Sequence, residues 1–348
     1  MTVHKLLEDG RVRELYKATG GAWGGTKVDE AFSDYFCELF AKEVIEKVKQ
    51  EYPADWVEMM IDFEKVKRKI SLNNQEEFVH LTLRPCLHEV YLEIMNVNMN
   101  NAFKNGSTET RGATLNRHKL QIPKSVIFDM IKQVAESISS HAVSLLKKKE
   151  IESLEFILMV GGFSNSPIVV QGVKDSTSLE VIVPENPELS VVQGAVMFGW
   201  KPEMFKSRKS RRTYGIGCSR AFRENIDPVS SMYYDDNMVK RCNYVFDKLV
   251  GINEEVEVGH TVKRIQSVSY RDQIYATIKF YESEKSDVSY YDEPGVIKLG
   301  YFKVPMTDTT GGMNRKIEIT VRFGGTEIIV NGKDLTTGVD AEAVYDFL

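Results

Sequence analysis

The chain has 348 residues, 42% of them hydrophobic and 27% charged, with a formal net charge of -5. That length suits roughly two or three domains of ~100–150 residues. The slight acidic excess gives no general case for nucleic-acid binding. No run of ~18 apolar residues suggests a membrane span, and Met1-Thr-Val-His-Lys has no signal-peptide pattern.

In chain order, Thr2–Leu7 and Val12–Thr19 read as two strands joined by a turn at Glu8-Asp9-Gly10. Val28 to about Tyr52 reads as one amphipathic helix, because Val28, Phe32, Phe36, Leu39, Phe40, Val44 and Val48 recur at helical spacing. Asp55–Ile70 is a second helix, Glu77–Leu83 and Lys119–Ile122 are strands, and polar Asn105–Asn116 is a loop. Val126–Lys149 is a third helix, closed by a lysine run that suits a helix C-terminus. Phe156–Val160 reads as a strand buried on both faces, leading through Gly161-Gly162 into a helix that starts near Pro167. Val183–Ser190 is a turn into an apolar helix, Val191–Phe198, whose Gly194-Ala195 would allow close packing.

After residue 200 the helical pattern stops. Ser210–Cys218, Val262–Tyr270, Ile274–Glu282, Lys298–Val304, Lys316–Phe323 and Glu327–Val330 read as short strands of a β-sandwich. The join, Lys206-Ser-Arg-Lys-Ser-Arg-Arg212, is a solvated basic linker in preference to a nuclear-import or nucleic-acid patch, because its neighbours are not basic. Cys37, Cys86, Cys218 and Cys242 are widely spaced without Cys-x-x-Cys. That fits reduced thiols in a cytoplasmic or nuclear protein better than disulfides or zinc. The six histidines are scattered, and no metal site is expected.

Three stretches carry ligand chemistry. Gly161 and Gly162 end a strand and open a helix, where free N–H groups and a positive dipole end favour phosphate or ribose oxygens; the plain alternative is a tight turn. Glu64, Lys67, Arg68 and Ser71, at i, i+3, i+4 and i+7, line one helical stripe beside the apolar Met59, Phe63, Val66 and Ile70. An arginine plane can stack on a base, and Glu and Ser can bond ribose hydroxyls; a solvated Glu–Lys face is the alternative. Gly20-Gly-Ala-Trp-Gly-Gly-Thr-Lys permits close backbone approach to a phosphate, or is a flexible connection.

The order of these pieces resembles the second half of the ATPase domain of the heat shock 70 kDa family, within the actin-like ATPase superfamily. Val160-Gly-Gly-Phe-Ser-Asn-Ser-Pro167 and Arg211-Arg-Thr-Tyr-Gly-Ile-Gly217 are most similar to the heat shock 70 kDa protein 12 subfamily. The resemblance implies an α/β second lobe of an actin-like ATPase domain over 1–202, with a helical and β subdomain inserted at about 28–122. It also implies a basic linker over 203–212 and an all-β, sandwich-like substrate domain over 213–348. It assigns an adenosine site to Glu64, Lys67, Arg68, Ser71, Gly161 and Gly162, with Gly24 and Gly25 near the terminal phosphates. Glu188 stands where Asp is usual, and Asn165 stands where an adenine-stacking Arg is usual.

The implied cofactor is ATP or ADP, with magnesium held only through the nucleotide; no catalytic or metal-ligating residue is assigned. The Asp-x-Gly-Thr phosphate turns of the first lobe are not in this sequence. Weak nucleotide binding with little or no hydrolysis is therefore expected of this chain, either as a truncated gene product or a natural short form. The implied partners are adenine nucleotide and a client polypeptide or partner protein, without nucleic acid or membrane. A non-enzymatic interaction module is the alternative, and a sugar-kinase or actin-like protein a distant one.

Overall fold

The computed structural model describes residues 1–71, 76–104, 110–151 and 153–346. The chain opens with strands β1 (Val3–Leu6) and β2 (Val12–Tyr16), then helices α1 (Gly25–Phe40), α2 (Lys42–Glu51) and α3 (Pro53–Lys69). Next come β3 (Phe78–Thr82), α4 (Pro85–Met95), α5 (Met99–Lys104), β4 (Thr114–Asn116), β5 (Lys119–Pro123) and α6 (Lys124–Leu146). The Gly-Gly region supplies β6 (Phe156–Leu158), α7 (Pro167–Ser176), β7 (Glu180–Ile182) and α8 (Pro187–Trp200). The remainder is β-structure apart from single 3-10 turns: β8 (Phe205–Lys209), β9 (Thr213–Ala221), β10 (Met232–Tyr234), β11 (Lys240–Val250), β12 (Glu255–Glu257) and β13 (Thr261–Ser267). It ends with β14 (Tyr275–Ser283), β15 (Val296–Pro305), β16 (Lys316–Arg322), β17 (Glu327–Asp334) and β18 (Asp340–Asp346). Among the described residues, no helix is long and apolar enough to cross a membrane.

The chain divides into two compact units, Gly20–Val196 and the combined Met1–Thr19 and Met197–Leu348. In the first, α1, α3, α4 and α6 bury their apolar faces in one core. Phe32 of α1 stacks on Phe63 of α3 at 3.6 Å with a 4° interplanar angle, so the apolar stripe read beside the candidate polar stripe does face inward. The helix expected from Val28 to Tyr52 is two helices. Ala41 has φ 69° and ψ 146° and turns the chain between α1 and α2. Both halves keep their apolar residues buried across this break, which carries neither glycine nor proline to announce it. The Asn105–Asn116 loop lies partly outside the described residues; its end, Thr114–Asn116, forms β4 beside β5.

The expectation for Phe156–Val160 is corrected. Among the described residues β6 pairs only with β7, in parallel, and Phe156, Leu158 and Val160 are 47%, 55% and 43% exposed. Apolar composition reads as burial, but a two-stranded ribbon has no strands to either side to cover it. Among the described residues Gly194 has no neighbour within 4 Å of where a Cβ would stand, in place of the close packing expected there.

In the second unit, β10-β11-β9-β14-β15 and β13-β16-β17-β18 are two sheets enclosing an apolar core that includes Ile216, Phe280, Val304, Ile319 and Val330. A third sheet, β1-β2-β8-β12, joins the N-terminal hairpin to the basic segment: β8 pairs in parallel with β2, and Ser207 and Ser210 are buried. The eleven-residue β11 has no counterpart in the sequence reading. Bulges between Cys242 and Val245, and between Lys248 and Val250, break the alternation that would mark it.

Candidate functional site

The candidate residues that come together all belong to the Gly20–Val196 unit. Gly24 is the extended residue before α1, so the loop's backbone leads directly into the first turn of a 16-residue helix. At Gly25 a Cβ would stand 3.3 Å from Lys67 Nζ and 3.6 Å from Phe163 Cδ2. One glycine thus marks where the loop, α3 and the Gly-Gly turn approach one another. At Gly24 the nearest atom to a Cβ would be Thr26 Oγ1 at 3.8 Å, leaving its face open.

Lys67 is the pivot. Its side chain is 6% exposed, and its ammonium donates to Asp29 Oδ1 at 2.7 Å and to the Gly25 carbonyl at 3.3 Å. It also pairs with Glu64 one turn earlier on α3, and Arg68 Nε bonds Glu64 Oε1 at 2.8 Å. Burial works against the Glu64 carboxylate, but hydrogen bonds from Lys67 and Arg68 outweigh it and hold its pKa below the usual carboxylate range. Asp29 was not anticipated. The signal for it is a carboxylate one turn into the helix that follows the glycine loop, within reach of a buried lysine.

The Gly-Gly turn is built as its residue types suggest. Gly161 has φ 92°, a conformation L side chains rarely adopt, and nothing stands within 4 Å of where its Cβ would be. Its N–H donates to the Pro187 carbonyl at 2.6 Å, tying the turn to the start of α8. Gly162 begins a 3-10 turn through Asn165 and approaches Glu188, whose Cβ is 3.9 Å from a Cβ placed on the glycine. Asn165 Nδ2 donates to Glu188 Oε2 at 2.8 Å. That bond, the Glu188 backbone N–H and the charge of Arg68 lower the Glu188 pKa. No side chain caps α7: Ser164 Oγ bonds the Val160 carbonyl at 2.8 Å, and buried Ser166 Oγ has no partner among the described residues.

Gly25, Glu64, Lys67, Arg68, Gly162, Asn165 and Glu188 are therefore linked by contact or charge. Ser71 differs from its sequence placement. α3 ends at Lys69 and Ile70 is extended, so Ser71 leaves the helical stripe. A helical template continues through any residue that does not break it, and Ile70-Ser71 contains no breaker.

What the arrangement offers an anionic, ribose-bearing ligand is a helix N-terminus, an exposed guanidinium and glycine faces without side chains, the three N–H groups of Lys67 being taken by Asp29, Glu64 and the Gly25 carbonyl. Among the described residues there is no group of three or more His, Cys, Asp or Glu that could hold a metal ion.

An α/β frame carrying this glycine-faced site has the actin-like ATPase fold, and the family model for Hsp70 protein matches residues 6–200. The chain belongs to the Hsp70 family. Over its whole length it is 30% identical to heat shock 70 kDa protein 12A of Mus musculus, and it covers 52% of that protein. The same shares hold for heat shock 70 kDa protein 12A of Homo sapiens. Heat shock 70 kDa protein 12B of Homo sapiens is 28% identical, again over all of this chain and 52% of its own length. The chain thus spans about half the length of these relatives.

Proposed function

We propose that this chain is a chaperone-related polypeptide whose residues 1–202 act as a nucleotide-binding lobe that holds ATP or ADP weakly and turns it over little or not at all. The sandwich over 213–348, joined through 203–212, then takes a client or partner polypeptide. The observation that carries the nucleotide reading is the approach of Gly25, Lys67 and Phe163, with Arg68 and Glu188 beside them. Arg68 is 61% exposed and its plane is available to a base, while Gly24, Gly161 and Gly162 keep side chains out of a ligand's path. Turnover is set low because the 348 residues contain no Asp-x-Gly-Thr turn, and phosphoryl transfer needs positioned phosphates, metal and water. Four free cysteines favour a reducing compartment such as the cytoplasm.

A second reading has one observation in its favour. The Lys67 ammonium is already engaged by Asp29, Glu64 and the Gly25 carbonyl, as a structural brace would be. On that reading the lobe is a scaffold and partner binding ignores ATP. Calorimetric titration of the folded chain with ADP separates the two: heat of binding supports the first, and none at high protein concentration supports the second.

A further inference from the structure

The sandwich contains a groove of about 970 Å³ lined by parts of β9, β11, β13, β14 and the β13–β14 loop. Its origin is a parting of strands. β9 and β14 pair only from Thr213 opposite Ser283 to Ile216 opposite Phe280, and at that same point the β14–β15 register shifts, Phe280 lying opposite Gly300 and Tyr281 opposite Lys298, with Leu299 bulged on β15. Beyond that point β9 runs on to Ala221 paired with β11 alone, and Tyr275–Lys279 of β14 pairs with β15 alone. Each strand therefore presents one backbone edge to the groove without a strand partner. Such edges take an extended polypeptide, whose alternate side chains then face the groove wall.

The wall is polar and aromatic. Tyr233, Tyr275 and Tyr291 line it beside Arg241, Arg264 and Lys279. Two of these cations are already matched: Arg264 Nε reaches Asp247 at 3.0 Å, and Arg241 Nε reaches Asp235 at 3.2 Å. Lys279 is not. It lies 5.4 Å from the Tyr291 ring centroid, and no carboxylate pairs with it among the described residues. Next along this face, Lys303 stands 4.2 Å from the ring of Tyr275, also without a carboxylate among the described residues. Across the groove the buried Nε2 of Gln266 has no acceptor. Lys279 and Lys303, fixed on aromatic rings, and Gln266 Nε2 are unmet donors that call for acceptors on the ligand, while Asp272 in the β13–β14 loop is the one lining carboxylate among the described residues without a cation.

We infer that the groove between β9 and β14 selects extended polypeptide segments carrying acidic side chains at alternate positions, rather than apolar segments. The inference rests on the sandwich as the polypeptide-binding part of the chain. Lys279 is the last residue of the open edge of β14, beside the paired Phe280, where an inserted strand's carboxylate meets it. Exposed Ile265 and Ile274 lie at the margins and supply apolar contact on either side.

Fluorescence anisotropy of the whole chain with three labelled nonapeptides, bearing Glu, Leu or Lys at alternate positions, tests this. The glutamate peptide binds at least about tenfold more tightly than the others, and its affinity falls as salt rises. Lys279→Glu weakens it about tenfold or more, with Lys279→Gln between, while circular dichroism and melting are unchanged. Should Lys279→Glu misfold, Lys279→Gln and Thr277→Glu carry the same comparison. A leucine peptide bound as well as the glutamate one overturns the inference and leaves the polypeptide-binding reading standing. Binding of none of the three overturns both. Displacement of the glutamate peptide by oligothymidylate at equal affinity overturns the inference too, because charge alone would then explain it.

Discussion

The ammonium of Lys67 on α3 lies 2.7 Å from the Asp29 carboxylate on α1. With Glu64 and the Gly25 carbonyl as its other partners, it fastens α3 to the glycine loop. Replacing it with methionine leaves two carboxylates, each about one-third exposed, without their shared cation. The expected loss is about 2 kcal/mol, below the ~3–5 kcal/mol of a fully buried pair because water reaches both acids. Urea denaturation of Lys67→Met against the parent measures it, and a change under about 0.5 kcal/mol would show that the brace is not structural.

Ala41 holds φ 69° and ψ 146°, a combination that suits glycine. Relief of the strain, about 1–3 kcal/mol, exceeds the extra chain entropy of glycine, about 0.4–1 kcal/mol. Ala41→Gly therefore raises the melting temperature. A lower melting temperature would mean that α1 and α2 are one continuous helix in solution.

Asp227 is a second anchor. Its buried carboxylate accepts from Arg220 at 2.6 Å and 2.8 Å, from Arg223, and from Tyr290 at 2.8 Å. The Arg220 bonds come first among the causes that hold its pKa far below the usual carboxylate range, against the opposing effect of burial. Because the folded value is depressed, this stabilisation is complete above the unfolded carboxylate's pKa. It declines as pH falls through that value towards the folded one. Between about pH 5 and about pH 3, Asp227→Asn should lose less stability than the parent. Parallel melting curves for the two proteins would contradict the assignment.

Arg315 is 2% exposed and forms no ion pair among the described residues. Its guanidinium donates to the carbonyls of Gly312, Gln273, Met306, Asp308 and Arg271, pinning the β13–β14 loop to the β15–β16 connection. Arg315→Met strips five acceptors at once, with an expected cost of about 3 kcal/mol. Hydrogen exchange should accelerate first at residues 271–274 and 306–312; uniform acceleration would point to general core damage instead.

Much of the Gly20–Val196 unit was legible because its signals are local. Glycine at Gly161 answers a positive φ, and Phe63 at its place in the helical repeat finds Phe32 in the core. What was not legible depends on partners distant in sequence. Phe156, Leu158 and Val160 look buried by type, but exposure is decided by which strands lie alongside. Asp29 and Lys67 are 38 residues apart, and neither alone announces the other. β11 was hidden by its own bulges, and the polar wall of the sandwich groove by the parting of β9 from β14.

The central claim is that the Gly25, Lys67 and Arg68 neighbourhood binds adenine nucleotide. Arg68 is the variant to use, because it is exposed and its removal should cost no more than about 0.5 kcal/mol of stability. Isothermal titration of the folded chain with ADP should give a saturable isotherm that Arg68→Ala weakens about tenfold. No heat from the folded parent at high concentration, or an isotherm indifferent to Arg68→Ala, would contradict the account.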